Sequence, residues 1–546
     1  MLRIREKGGM SHLMQLFGQT SWRSRAHCVW FRLCTVCLSV YISYVVYLSN
    51  SGLFLSPVRT VLALACFVLL SAGLYFGLTI ACVKLARFAP RSQPKESMDM
   101  RVFLAALAIA LAVFGCTFAA AYPGGVNYDV SNQWRQAHSG EFNNWHPLMH
   151  TLLIWLVTQV YDSYPFVVLV QILAFSAAMA YLTAVVHRCG VPGWIALAAH
   201  GLAVLSSPVR NTLMYAGKDS AMTVGVLLLT AWAIRILYTQ GQWLRKPLHV
   251  MALGLTLALT TLLRHNAMLW TYTLMAGLFL CLRVRKQAAL GAVVMAVILL
   301  LIQGPLYGAL DVVYPSNFVD ESMGVPMTIL GDVKQKEPEK LDEETKAFLS
   351  TLATDEEWQA TYRLHNYNSI KFTFDREYVA RRSVGEVLGM AARTAVAAPR
   401  TAFEAVNGLT DLVWDITGRN EAAVTVRNSG HIESAAYGSA KLNQLGGYAV
   451  AAIEFVMNLP PLAWLTQNVG VQLLGLLLVT LWALYRRGVR VLVLALPTLL
   501  YHMGTMVLLA SNDARFFQFA FAIFFASALS LIWLPEEDEE CKLPGK

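Results

Sequence analysis

The sequence predicts an all-α polytopic membrane protein of about 12 transmembrane helices, with interfacial helices in the first outer loop and a large extracytoplasmic insert. Three observations predict it. Apolar residues fill 56% of 546 positions and charged ones 14%, with a mean hydropathy of +0.50, more apolar surface than a soluble core of this length needs. Runs such as 58–84, 101–121, 166–187, 287–303 and 516–534 approach or exceed the roughly 20 residues that cross a hydrocarbon core as a helix. Basic residues fall between these runs, as topology signals do.

The first run, 29–48, follows Arg3, Arg5, Lys7, Arg23 and Arg25. It is long and lacks a small-residue cleavage site, so it reads as a retained helix and not as a signal peptide. With the N-terminus inside, basic clusters at Lys84/Arg87/Arg91/Lys95/Arg101, Arg188, Arg235/Arg245/Lys246, Arg283/Arg285/Lys286 and Arg486/Arg487/Arg490 all fall on the cytoplasmic side. The spans are then 29–48, 58–84, 102–121, 165–187, 194–207, 221–238, 248–263, 268–282, 287–303, 469–486, 489–509 and 516–534. Counting 148–161 as a span would reverse every later cluster, and about 14 residues is short for one, so it is placed in the interface. Residues 448–464, interrupted by Glu454, Pro460 and Pro461, are read as lying along the surface.

The chain divides into 1–100 (a cytoplasmic segment and two accessory helices), 101–303 (the core, with the outer loop 122–146), 304–466 (the insert) and 467–546 (C-terminal helices and an acidic cytoplasmic tail). The Lys-rich acidic stretch 332–355 of the insert has few large apolar residues, so a mobile loop or surface helix is expected there. The net charge of +9 is dispersed between spans and does not form the basic patch of a nucleic-acid binder. Nine cysteines, none of them in the insert, suggest neither a disulfide framework nor a metal site.

Unusual polar residues collect on the outer face. In the first loop, Tyr122-Pro-Gly-Gly breaks a helix. Asp129 then stands at a helix start, either accepting a proton from a substrate hydroxyl or capping the helix. Glu141 and His146 could serve acid-base or metal chemistry, or simply be solvated. In the second loop, Lys218 or Arg210 could hold an anionic phosphate with free helix N-terminal amides; the alternative is a Lys218–Asp219 pair of little consequence. Arg264 and Arg515 interrupt apolar sequence where positive charge is scarce, which marks a cavity and phosphate binding or snorkelling helix ends.

In its order of parts the chain resembles the GT-C superfamily of integral-membrane glycosyltransferases. The shared order is a span, an outer loop with an early acid (Asp129), and a Trp145-His146-Pro147-Leu148 segment starting an interfacial helix. A return to a basic inner turn (His187-Arg188), another span and an outer loop with a second acid (Lys218-Asp219) follow. The likeness covers 101–264 by these motifs and the C-terminal half by architecture. Many members have an acidic pair where this chain has Asp129-Val130, and Pro-Pro-Leu where it has His146-Pro147-Leu148.

The resemblance implies a multi-pass plasma-membrane enzyme with both termini cytoplasmic and an extracytoplasmic site. It would transfer sugar from a polyprenyl-phosphate-linked donor to a glycan, lipid or protein acceptor by a single inverting displacement. Asp129 would be the general base. Glu141, His146 and Asp219 would position the acceptor or a divalent cation, Mg or Mn. Lys218, Arg210, Arg264 and Arg515 would bind the donor phosphate. Rival readings are a transporter or flippase of a lipid-linked or anionic substrate, and a surface-glycan ligase or polymerase.

Overall fold

The computed structural model describes residues 22–49, 57–90, 94–280, 284–314, 323–364, 366–375, 378–379, 381–417, 426, 432, 440–509 and 511–535. The N-terminal basic segment before Trp22, Arg91, Arg283 and the acidic tail lie outside them. The described chain is helical, with three isolated β-bridges and no longer strand pairing.

The bundle contains α1 (Trp22–Ser49), α2 (Pro57–Leu85), α3 (Met100–Ala121), α4 (Tyr128–Ser139), α5 (Leu148–Thr158), α6 (Tyr164–Arg188), α7 (Gly193–Leu205), α8 (Ser207–Thr212), α9 (Lys218–Tyr238), α10 (Pro247–Leu263), α11 (Ala267–Leu280) and α12 (Arg285–Leu301). Nine helices among the described residues are long and apolar enough to cross a membrane. The predicted spans 194–207, 248–263 and 268–282 correspond to the shorter apolar helices α7, α10 and α11, of 13, 17 and 14 residues. Pro247 at the start of α10 and the Arg264–Asn266 turn cut that stretch short. The 11-residue α5 is too short for a span. On α2, Leu62, Leu69 and Phe76 are each more than half exposed, apolar surface whose natural partner is lipid. The protein is therefore a multi-pass membrane protein.

The insert departs from expectation. Helices α13 (Gly324–Lys336), α14 (Glu343–Leu352), α15 (Asp355–Thr361), α16 (Val384–Ala397) and α17 (Pro399–Trp414) follow the bundle. The stretch read as mobile or superficial belongs to a packed unit with its own core. Leu341, Phe348, Leu349 and Leu352 recur at helical spacing and turn inward onto Trp358, Tyr362 and Met390, while the Lys and Glu residues between them face out. Asp342 caps α14, and capping boxes at Thr354/Glu357 and Ser383/Glu386 start α15 and α16. Counting large apolar residues missed this because few of them, correctly spaced, suffice.

Residues 448–464 are interrupted at the prolines that the sequence marks. They form the broken pair α18 (Ala440–Met457) and α19 (Pro460–Gln467), bent by 98°, because Pro460 and Pro461 cannot continue α18. α18 packs along α3 so closely that a Cβ at Gly446 would come within 2.2 Å of the Ala120 backbone nitrogen. Helices α20 (Val469–Arg487), α21 (Leu492–Leu508) and α22 (Gln518–Ile532) complete the bundle, α22 packing on α9, α7 and α20.

Candidate active site

The first loop and the loop before α9 are fastened to each other. Gly125 donates its N–H to the Met214 carbonyl (2.9 Å) and forms a parallel bridge with Tyr215. Only glycine fits there, since a Cβ would sit 2.7 Å from the Tyr215 ring. Buried Tyr164 of α6 donates its hydroxyl hydrogen to the Gly125 carbonyl and accepts from Ala216 N–H (3.3 Å). Gln171, about two turns further along the same face of α6, donates to the Leu213 and Tyr215 carbonyls at 3.1 and 2.7 Å. Polar groups in an apolar helix thus satisfy loop carbonyls that would otherwise be costly to bury.

This fastening sets Asp129 opposite Lys218. Asn127, not Asp129, caps α4, accepting from Val130 N–H at 2.9 Å, so the Asp129 carboxylate is left for other partners. Its Oδ2 lies 3.0 Å from Lys218 Nζ and 3.7 Å from Arg515 Nη1, and its Oδ1 lies 3.8 Å from His146 Nε2. Burial pushes the Asp129 pKa up, but the charges of Lys218 and Arg515 outweigh it and hold the carboxyl far below the usual carboxylate range.

His146 precedes α5, which Gln133 of α4 ties down by donating to Thr151 (3.2 Å) and pairing with His150 (3.0 Å). Lys218 Nζ is 2.9 Å from His146 Nδ1. Burial and the neighbouring ammonium push the His146 pKa down to about 3. The ring is buried, and its Nε2 has no hydrogen-bond partner.

Arg515 enters from a short 3-10 turn that Asp513 caps. Asp513 accepts from the Arg515 backbone N–H (3.0 Å) and pairs with its Nε at 2.7 Å. Arg264, at the end of α10, pairs with Asp219 of α9, both side chains being buried. The two guanidinium groups share the Phe516 ring, at 4.7 Å for Arg264 and 5.2 Å for Arg515. Gln518 anchors this end of α22, accepting from Ser220 (3.1 Å) and Thr223 (3.3 Å) and donating to the Val209 carbonyl (3.0 Å). His265 ties the Arg264 turn to the Trp145 carbonyl (3.3 Å).

Of the residues singled out in the sequence, Asp129, His146, Lys218 and Arg515 meet, with the Arg264–Asp219 pair beside them through Phe516. Arg210 goes elsewhere. It is fully buried, its guanidinium donating to Glu454 of α18 at 2.9 Å and to Asn211 at 3.0 Å. Glu141 lies past the Gly140 cap of α4, exposed. Tyr164, Gln171, Phe516 and Gln518 are the positioning residues that sequence reasoning missed. For Tyr164, Gln171 and Gln518 the available signal was an isolated amide or phenol within or beside an apolar run; Phe516 carried none.

No family model matches the chain, and no curated protein matches it by sequence. Solved structures that resemble it include the following two. The arabinosyltransferase EmbB from Mycobacterium smegmatis, solved by single-particle cryo-EM, aligns over 79% of this chain and 45% of its own, at 15% identity and a TM-score of 0.31. ArnT from Cupriavidus metallidurans, crystallised bound to undecaprenyl phosphate, aligns over 78% of this chain and 77% of its own, at 14% identity and a TM-score of 0.30. The chain thus spans less than half the length of the arabinosyltransferase it resembles.

Proposed function

We propose that this chain is a GT-C-type membrane glycosyltransferase, moving a sugar from a polyprenyl-phosphate-linked donor to an acceptor at the extracytoplasmic face, with Asp129 as general base. The observation that carries this reading is one ionised carboxylate within 4 Å of Lys218 and Arg515, where two fastened loops meet the N-terminus of α9. A sugar-1-phosphodiester needs both halves of that arrangement. The acceptor hydroxyl loses its proton to Asp129 as its oxygen bonds to the anomeric carbon on the face opposite the phosphate. In the same displacement the carbon–oxygen bond to phosphate breaks, and its electron pair leaves on a phosphate that the cations and the helix N-terminus stabilise.

The charges of the site balance: Asp129, Asp219 and Asp513 oppose Lys218, Arg264 and Arg515. An incoming phosphate therefore competes with Asp129 for Lys218 and Arg515. As it draws them away, the carboxylate loses the partners that suppress its basicity, so the base is released where the donor sits. The divalent cation expected from the family likeness finds no fitting donor set: among the described residues no three His, Cys, Asp or Glu side chains converge, and Asp129 and Asp219 each face cationic partners. No step is assigned to a metal.

The test is sugar transfer by the purified full-length protein in nanodiscs, supplied with a panel of farnesyl-phosphoryl pentoses and hexoses. Asp129→Asn should lower the rate by roughly 10²- to 10⁴-fold without altering the unfolding midpoint by more than a few degrees. Full transfer by that variant would refute the assignment.

A further inference from the structure

Around Asp129, one buried polar atom has nothing to bond to. His146 Nε2 is without a hydrogen-bond partner, and the nearest acceptor, Asp129 Oδ1, is 3.8 Å away, too far for a direct bond. The tautomer follows from the other side of the ring. Lys218 Nζ is 2.9 Å from Nδ1, and an ammonium can only donate, so Nδ1 accepts and the ring proton sits on Nε2. The lysine thus fixes an N–H that points beside the carboxylate. A buried donor left unmade costs about 1–3 kcal/mol, and native sites seldom keep one without a use.

We propose that His146 and Asp129 together form the seat of the acceptor hydroxyl, His146 donating to its oxygen and Asp129 accepting its proton. The inference rests on the transferase reading and deepens it by adding a second residue that holds the acceptor hydroxyl. An oxygen at ordinary hydrogen-bond distance from both atoms fits a 3.8 Å separation as the apex of a shallow triangle. Seated there, it accepts from Nε2–H with one lone pair, donates its proton to Asp129 Oδ1, and keeps its second lone pair for the anomeric carbon. A protonated amine has no lone pair for Nε2–H. A phosphate dianion has no proton for Asp129 and would sit against its negative charge. Of these groups, a hydroxyl alone satisfies donor and acceptor together. His146 is then a catalytic residue touching the acceptor oxygen; its partner Lys218 sets its tautomer as well as facing the phosphate.

Two substitutions separate this role from simple support of Lys218. His146→Asn keeps an acceptor near the Nδ1 position for Lys218 but loses the Nε2 donor. His146→Gln keeps a donor near the Nε2 position. Calorimetry on the full chain in nanodiscs, with methyl pentofuranosides and hexopyranosides as hydroxyl probes and farnesyl phosphate as the phosphate probe, reads the two roles apart. The expected result is hydroxyl-probe affinity lowered roughly tenfold in His146→Asn and within threefold of wild type in His146→Gln, with farnesyl phosphate affinity within twofold in both.

Equal hydroxyl-probe affinity in wild type and His146→Asn would overturn the proposal, as would equal losses in the two variants. Nitrogen-15 spectra of histidine-labelled protein, showing His146 protonated on Nδ1, would overturn it independently. If farnesyl phosphate fails to bind the wild type while the hydroxyl probes still depend on His146, the transferase reading falls and the hydroxyl seat stands.

Discussion

Removing the Asp129 charge should strengthen phosphate binding while it destroys turnover, a pair of opposite signs that few alternative readings share. The Asp129–Lys218 pair is separated by 3.0 Å, with side chains 27% and 15% exposed. Coulomb's law at that distance gives roughly 5 kcal/mol with an effective dielectric of about 20. Most of that is offset by desolvation of the two ions, and a phosphate takes over only part of what the carboxylate releases. A net gain of about 1 kcal/mol remains, with a smaller share from Arg515 at 3.7 Å. Asp129→Asn should therefore bind farnesyl phosphate about fivefold more tightly than wild type, measured by isothermal calorimetry in nanodiscs at low salt. Lys218→Met should bind it more weakly. Loss of affinity in Asp129→Asn would show that the carboxylate does not compete with phosphate for these cations, and the proposed release of the base would be wrong.

Three further outcomes follow from the packing. Gly125→Ala should push Tyr215 away, at a cost of about 1–3 kcal/mol, and reduce sugar transfer at least tenfold by unfastening the loops; unchanged transfer would show that the Tyr215 bridge does not set the site. His146 and His150, whose pKa values burial pushes down to about 3, are compared with about 6.5 when unfolded. Between these values the unfolded chain binds more protons, so stability rises with pH across roughly pH 3 to 6.5 and is lost on acidification. The thermal midpoint followed by tryptophan fluorescence should thus fall between pH 7 and pH 5, and less so in a His146→Gln/His150→Gln variant. Trp358→Ala removes the largest fully buried side chain of the insert, costing about 3–5 kcal/mol; limited proteolysis should then cut within residues 323–398 while the bundle stays intact.

What could be read from the chain followed physical scale. Long spans such as α3, α6 and α9 are visible because lipid imposes a length and an apolar composition on each. The stretches at 194–207, 248–263 and 268–282 are equally apolar, and parity of basic clusters made them spans; the helices found there, α7, α10 and α11, are shorter than the others. The insert was misjudged because burial there depends on the spacing of Phe348, Leu349 and Leu352 more than on their number. At the site, Asp129, His146, Lys218 and Arg515 were visible as polar residues at span ends. Their pairing was not, since Asn127 rather than Asp129 proved to be the cap and Glu454 claimed Arg210 from 244 positions away.

The amide of Gln518 touches the N-terminal turn of α9 and the Val209 carbonyl of α8 from a third helix. One side chain therefore keys three rods at the level where the carboxylate and the cations gather. Turning α22 about its own axis would break the Gln518 bonds to Ser220, Thr223 and Val209, so these bonds oppose any motion that separates the ends carrying Lys218 and Arg515. A channel walled by independently sliding helices would lack such a key; the transferase proposed above, which must hold its geometry while a long lipid enters and leaves, is served by one.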